Sequence, residues 1–300
     1  MQVFSIIENY DIIISWKRGV FALNIDMLIM SFIRGKAPCA VGLDLTAERI
    51  PEEFLNKFEK ETDAVCAYNR LVIDSVCDTV AAISVNVGAL LPYGLETIAD
   101  AISYAKEKEL FTIVDAKCIG EPIASESEAK LYYDTFDADC VTVSAYYGSK
   151  GLAPFIEKCS EKGKTLFILS HSHNGSPQEL QELSAGLRPV YRVACEKAVL
   201  VGEKRCGNMG YSDIGVMIGG VSNAVLREMR RNYKKTFFYL TGYDGAKTQA
   251  HDINGAFDMK GLGGLVCVTA PITLPEGEGE LSERIKKAAE EVARDLKLCF

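Results

Sequence analysis

The chain has 300 residues, of which 48% are hydrophobic and 25% are charged, and its formal net charge is −8. This length can bury one large α/β core or two small ones, and the acidic balance argues against nucleic acid as a bulk electrostatic partner. The sequence shows no basic stripe along its length. One short polar segment carries five cationic residues, which are predicted to form a solvated helix face: Arg227, Arg230, Arg231, Lys234 and Lys235.

Residues 1–26 do not match the pattern of the rest of the chain, and they are predicted to be an extension of unknown role before a domain that spans residues 27–300. The apolar stretch that begins at Gly19 is interrupted by Asn24 and Asp26, and it is shorter than the roughly 20 residues that a membrane-spanning helix needs. No convincing small-residue cleavage site follows it, so it is also a poor signal peptide. We therefore expect no membrane as a partner.

From Cys39 onward, short apolar segments rich in β-branched residues alternate with segments of helical pattern, such as 96–108, 151–162, 190–202 and 224–232. The predicted strands are Cys39–Asp44, Ala81–Val87, Leu110–Asp115, Cys140–Ser144, Thr165–Ser170, Asp213–Gly219, Thr236–Leu240 and Gly264–Thr269. Alternating strands and helices predict a parallel sheet, and eight strands in about 230 residues predict an α/β protein with a single-domain (β/α)₈ TIM barrel. A doubly wound open sheet is the alternative, but no G-x-G-x-x-G follows the first strand.

The third predicted strand is the most informative, because Asp115 and Lys117 come directly after its apolar run. Strand side chains repeat with period two, so these two groups are expected to point the same way. In a barrel, catalytic groups lie at the carboxyl ends of the strands, where Asp44, Asn86 and Ser144 also fall. The pair is predicted either to perform chemistry or to form a structural ion pair.

The ten cysteines include no C-x-x-C pair, and Cys39, Cys140 and Cys267 lie inside apolar runs. This pattern is typical of reduced thiols that behave as small buried hydrophobes in a cytoplasmic protein. His171 and His173 are interpreted as polar loop residues, and no metal site is expected.

Two motifs and three further segments resemble the orotidine 5′-phosphate decarboxylase family in its longer bacterial form. Cys39 to Asp44 is similar to the family's VGLDP signature, and Val114 to Lys117 resembles the start of its DAKRGDI motif. The further segments are Ala138–Ser149, Tyr239–Tyr243 with Ala256–Asp258, and Leu262–Val266. The resemblance runs in register from Cys39 to the eighth strand and so covers most of the chain.

The resemblance implies conversion of orotidine 5′-phosphate to UMP and carbon dioxide in de novo pyrimidine synthesis, without a metal or organic cofactor, by a barrel homodimer. The family's site is an alternating Lys-Asp-Lys-Asp array, in which carboxylates press on the substrate carboxylate and the lysines stabilise the carbanion. On this basis Lys117 is the expected proton donor and Asp115 the destabilising carboxylate. The expected substrate-binding residues, beginning with Asp44 at the ribose hydroxyl, are Asp44, Asn86, Ser144, Gly242 and Lys247.

The sequence departs from this array at three positions. The first lysine falls on Ser84, and the last aspartate falls on Gly120, with Glu121 one residue late. The phosphate-binding arginine after the eighth strand falls on Ala270, which precedes Pro271, a residue without an N–H group. Activity on orotidine 5′-phosphate is therefore expected to be weak or lost.

Three hypotheses about function follow. The first is a working decarboxylase in which Glu121 and Lys247 replace the missing groups. The second is a non-catalytic paralogue that binds a nucleotide or a protein partner, and the third is a lyase for an unphosphorylated substrate. Ser84 and Ala270 weigh against the first hypothesis, whereas the intact pair of Asp115 and Lys117 weighs against the second.

Overall fold

The computed structural model describes residues 24–118 and 120–298. Eight parallel strands close into a barrel in the order β1-β2-β3-β4-β5-β8-β9-β10, with β10 pairing again with β1, and β6 and β7 form a separate hairpin. The strands are β1 (Ala37–Leu43), β2 (Val80–Asn86), β3 (Phe111–Cys118), β4 (Cys140–Ser144), β5 (Thr165–His171), β6 (Ser184–Ala185), β7 (Arg188–Pro189), β8 (Ile214–Gly219), β9 (Phe238–Thr241) and β10 (Gly264–Val268). The predicted barrel is confirmed, and each predicted strand overlaps an observed one.

Helices lie around the barrel, between successive strands and at both ends of the described chain. They are α1 (Asn24–Ile33), α2 (Glu52–Leu55), α3 (Glu61–Val76), α4 (Val87–Leu90), α5 (Leu95–Glu107), α6 (Pro122–Ala129), α7 (Gly148–Lys162), α8 (Val190–Gly202), α9 (Asn223–Asn232), α10 (Ala250–Ile253), α11 (Ala270–Thr273) and α12 (Leu281–Lys297). A π-helical turn, Lys130–Thr135, extends α6. None of the helices in the described part of the chain has the length and apolar character needed to cross a membrane.

The barrel strands are apolar because both of their faces are buried. Every residue of β1 and of β8 is buried, as expected for strands of a parallel sheet that is covered by helices. Inside the barrel, the ring of Phe167 stacks on that of Tyr239, with 5.2 Å between their centroids. Cys39 and Cys140 are fully buried, as predicted, whereas Cys267 is only partly buried; each described cysteine is a free thiol.

Helix α1 covers the base of the barrel, where the strands begin. Its residues Ile25, Leu28 and Ile29 are buried against the apolar side chains of the barrel interior. The carboxylate of Asp26 accepts hydrogen bonds from the backbone N–H groups of Asn208 and Met209, each at 2.9 Å. The predicted division between residues 26 and 27 falls within this helix, and residues 1–23 lie outside the described residues.

Arg230, on α9, corrects the prediction of a solvated basic face. The other four basic side chains of that segment are exposed, but Arg230 is only 8% exposed. Its guanidinium donates to the carbonyl oxygens of Thr236, Ala256 and Gly263, at 2.8, 2.7 and 2.6 Å. The prediction was wrong for Arg230 because these carbonyl groups, which precede β9 and β10, offer a buried cation enough acceptors.

Candidate functional site

The third strand was predicted to end at Asp115, but β3 continues to Cys118, so Lys117 lies within the strand together with Asp115. The register between β3 and β4 shifts between Val114 and Cys118, and Lys117 has a φ of 49°. A left-handed conformation at a non-glycine residue costs about 1–2 kcal/mol, and such strain concentrates at functional sites. The strained backbone at Lys117 therefore favours the end of β3 as part of a functional site.

The side chains of Asp115 and Lys117 form a closed network with Thr142 of β4. Lys117 Nζ lies 2.6 Å from Asp115 Oδ2, and Thr142 Oγ1 donates to Asp115 Oδ1 at 2.8 Å. The backbone N–H of Lys117 donates in turn to Thr142 Oγ1 at 3.0 Å. The Asp115 side chain is 14% exposed and that of Lys117 is 39% exposed, so the ammonium remains open to a ligand at the mouth of the barrel.

Thr142 was not predicted as part of the site. The sequence did carry a signal, because β4 reads Cys-Val-Thr-Val-Ser and period two places Thr142 on the same side as Ser144. The contact itself depends on the shifted register between β3 and β4.

Asp44 lies at the end of β1, close enough to Asp115 for the two charges to interact. Burial raises the pKa of the Asp44 carboxyl, an effect that the neighbouring Arg49 opposes and Asp115 adds to. Arg49 Nη1 is 3.3 Å from Asp44 Oδ1. The mouth of the barrel thus brings together two carboxylates and one lysine at the ends of β1 and β3.

Ser84, on β2, is where the resemblance places a first lysine. It is 2% exposed, and its hydroxyl accepts a hydrogen bond from the Tyr239 hydroxyl at 2.8 Å. Tyr239 belongs to β9, so this neutral bond crosses the barrel interior. Tyr239 was also not predicted, although a tyrosine within an apolar strand usually finds a partner for its hydroxyl.

Asn86 and Ser144 mainly hold the loops that follow their own strands. Asn86 Oδ1 accepts a hydrogen bond from the backbone N–H of Ala89 at 3.1 Å and thereby caps α4. Ser144 Oγ accepts one from the backbone N–H of Tyr146 at 3.3 Å. Their predicted role in substrate binding stays a prediction.

Gly120 and Glu121 lead into α6. A Cβ atom added at Gly120 would lie 3.1 Å from the Cβ of Ala124, which is a tight contact. Glu121 is exposed, and its side chain does not cap the helix. A carboxylate at position 120 would therefore require the start of α6 to shift.

The loop after β9 contains the predicted residues Gly242 and Lys247. Gly242 has a φ of 90°, and an added Cβ there would lie 2.9 Å from the ring of His173, so glycine is required on both counts. Asp244 Oδ1 accepts hydrogen bonds from the backbone N–H groups of Ala246, Lys247 and Thr248 at 3.0, 2.7 and 2.9 Å. Lys247 is exposed.

A cavity of about 540 Å³ opens between the ends of β8 and β9. Its walls include His173, Thr241, Asp244, Lys247 and Asp252. On the β10 side, Ala270 begins α11 and Pro271 follows it, so this side offers neither a cationic side chain nor a full set of N–H donors.

The interpretation of His171 as a polar loop residue was wrong. His171 is the last residue of β5 and is 1% exposed. Its Nδ1 lies 2.6 Å from the carbonyl oxygen of Gly219, and its Nε2 lies 3.4 Å from Glu182 Oε1. Across residues 24–118 and 120–298, His, Cys, Asp and Glu side chains form no group of three or more that could hold a metal ion.

Comparison with known proteins decides the family. Residues 39–274 match the family model "Orotidine 5′-phosphate decarboxylase / HUMPS family". The chain belongs to this family. The orotidine 5′-phosphate decarboxylase of Clostridium perfringens is 31% identical over 258 residues, which cover 84% of this chain and 90% of the relative. The enzyme of Clostridium acetobutylicum is 30% identical over 266 residues, which cover 87% and 92% of the two chains.

Solved structures of the family share the fold. The orotidine monophosphate decarboxylase of Leishmania donovani superposes with a TM-score of 0.73 at 20% identity, covering 92% of this chain and 98% of that one. The enzyme of Methanocaldococcus jannaschii, solved with the inhibitor BMP, gives 0.61 at 17% identity and covers 87% and 98%. The membership that the motifs implied is thus confirmed, together with the barrel.

Proposed function

We propose that this chain is a divergent member of the family, with weak or no turnover of orotidine 5′-phosphate and a small-molecule site at the mouth of its barrel. Its relatives are orotidine 5′-phosphate decarboxylases, so a ligand related to a pyrimidine nucleotide is the natural candidate. The observation that carries the proposal is the contrast between two positions. Asp115 and Lys117 form a charged pair at the barrel mouth. Ser84, by contrast, is buried and uncharged, and its hydroxyl is hydrogen-bonded to that of Tyr239.

The retained pair has the chemistry for proton transfer after decarboxylation. A substrate carboxylate beside Asp115 would face a like charge, which disfavours the bound ground state. When the carbon–carbon bond breaks, carbon dioxide leaves and the electron pair stays on the ring carbon. The Lys117 ammonium stabilises that charge, donates a proton to the carbon and is then reprotonated from water.

The rest of the site explains why turnover should be weak. A second cation at position 84 would share the stabilisation of the carbanion, but the Ser84 hydroxyl carries no charge. Losing a buried charged contact costs roughly 2–5 kcal/mol, or about one and a half to three and a half decades of affinity or rate. The pair of Asp115 and Lys117 therefore lacks the charged groups that would assist it, since those positions hold Ser84, Gly120 and Ala270. The free-energy costs of the three losses are not additive.

The direct test is an ultraviolet progress curve with orotidine 5′-phosphate and purified full-length protein at high enzyme concentration. Lys117→Ala and Asp115→Asn serve as matched controls, because each removes one charge of the retained pair. We expect slow turnover that both substitutions abolish, or no turnover above these controls. Rapid turnover by the unmodified chain would overturn the proposal.

We further propose a homodimer that forms at the same end of the barrel. Large apolar side chains are exposed on the segments that follow β2, β3 and β4, among them Leu91, Ile123 and Tyr146, which are 51%, 82% and 74% exposed. Exposed apolar groups on neighbouring loops are typical of an interface. Analytical ultracentrifugation should give a dimer for the chain and a monomer for Ile123→Glu, and a monomeric unmodified chain would contradict this.

A further inference from the structure

The loop after β9 already holds an anion that belongs to the protein itself. Three successive backbone N–H groups, those of Ala246, Lys247 and Thr248, converge on a single oxygen of Asp244. β9 is the seventh strand of the barrel, and loops after the seventh and eighth strands commonly bind phosphate through such N–H groups. In this chain a carboxylate occupies the donors that a phosphate would need.

The Asp244 carboxylate is negatively charged at neutral pH. Hydrogen bonds from the three N–H groups, that of Thr248 first, hold the pKa of Asp244 below its usual range. Its other oxygen, Oδ2, accepts no hydrogen bond from any residue within 24–118 and 120–298. The side chain therefore still offers one acceptor.

The charge around the cavity also disfavours a phosphate. Among its described lining residues, Asp244 and Asp252 are acidic, whereas Lys247 is the single lysine or arginine. On the neighbouring strand, Ala270 and Pro271 add no cation to compensate. A phosphate monoester carries a charge near −2 at neutral pH, and a carboxylate in its binding loop repels it at close range.

We infer that Asp244 is a specificity-determining residue that excludes phosphate from the mouth of the barrel, so that the chain takes an unphosphorylated ligand, a nucleoside rather than a nucleotide. This inference rests on the proposed small-molecule site. A nucleoside presents a neutral hydroxyl where a nucleotide presents its phosphate. That hydroxyl can donate a hydrogen bond to Asp244 Oδ2, which a phosphate dianion cannot do.

The test is isothermal titration of the full-length protein with uridine and with UMP, together with competition by inorganic phosphate. Two substitutions separate charge from geometry. Asp244→Asn removes the charge and keeps an acceptor for the loop, whereas Asp244→Gly releases the N–H groups. Glu107→Gln, at an exposed position at the end of α5, changes the net charge by the same amount and serves as the control.

We expect the unmodified chain and Glu107→Gln to bind uridine at least about tenfold more tightly than UMP. Asp244→Asn should reduce the ratio of the affinity for uridine to the affinity for UMP. Asp244→Gly should bind UMP more tightly and uridine more weakly, and inorganic phosphate should compete only in this variant. Opposite shifts for the two ligands report specificity, since a loop that merely loses structure would weaken both.

Two results would overturn the inference and leave the small-molecule site standing. They are tighter binding of UMP than of uridine by the unmodified chain, and parallel weakening of both ligands in Asp244→Gly. If neither ligand binds to any variant, the proposed small-molecule site is itself contradicted, and the inference falls with it.

Discussion

Two sides of the barrel mouth differ in how they hold charge. On the β3–β4 side (Asp115, Lys117 and Thr142), each polar group has a side-chain or backbone partner, and the ammonium faces outward. On the β9–β10 side (Asp244, Ala270 and Pro271), the Asp244 carboxylate is bound by the loop's own N–H groups, and Ala270 and Pro271 carry no charge.

The difference shows that two sides of one barrel mouth can hold charged groups in different ways. All these residues lie in strands of the same barrel or shortly after them, so the fold alone does not set the chemistry of the mouth. The β3–β4 side is held by a network whose members depend on one another. The β9–β10 side is a loop, and loops tolerate substitution more readily than buried strands.

The largest expected effect is on the β3–β4 side. Asp115→Ala would leave the Lys117 ammonium and the Thr142 hydroxyl without their acceptor, and we expect it to lower the free energy of unfolding by about 2–3 kcal/mol. Chemical denaturation measures this. Asp244→Ala, on the exposed loop, should cost less than about 1 kcal/mol; equal costs would remove the distinction between the two sides.

The bond between Ser84 and Tyr239 should come next in size. Tyr239→Phe leaves a buried serine hydroxyl without its donor, and we expect a loss of about 1–2 kcal/mol. Ser84→Ala gives the other side of a double-mutant cycle, and the double variant should cost less than the sum of the single ones. If the double variant instead loses the full sum of the two single-variant losses in unfolding free energy, this bond does not stabilise the contact between β2 and β9.

Thr142→Val tests whether the network positions Lys117. The substitution keeps the shape of the side chain but removes the hydroxyl that bonds Asp115 and the Lys117 backbone, so we expect a loss of about 1 kcal/mol. In a crystal structure of the variant, the Lys117 side chain should leave Asp115. An unchanged ion pair would show that the pair needs no support from β4.

The smallest effect concerns Asp44 and pH. Because burial raises the pKa of this carboxyl, the folded protein binds the proton more tightly than the unfolded chain, and stability falls as pH rises through the raised pKa. Asp44→Asn should therefore gain less than about 1 kcal/mol at neutral pH and nothing below about pH 4, the ordinary range of an aspartate. Thermal unfolding across this range measures it, and a variant that is less stable at neutral pH would contradict the sign.

The sequence predicted the barrel well because buried parallel strands are continuous apolar runs, and it placed Asp115 and Lys117 together because strand side chains repeat with period two. It did not predict the bond from Tyr239 to Ser84, whose residues lie 155 positions apart and meet only once the barrel closes. Arg230 was assigned to the surface because its burial depends on the carbonyl groups of Ala256 and Gly263, which lie 26 and 33 positions away in the segment before β10. Local pattern thus fixes the strands, whereas contacts across the barrel depend on closure and register.

The most direct test of the account compares this chain with its Clostridium perfringens relative in one decarboxylation assay on orotidine 5′-phosphate. We predict a kcat/KM at least about a thousandfold lower for this chain, because the uncharged residues Ser84, Gly120 and Ala270 stand where the family resemblance implies charged ones. A kcat/KM within about tenfold of the relative would contradict it, since the pair of Asp115 and Lys117 would then suffice without those charges.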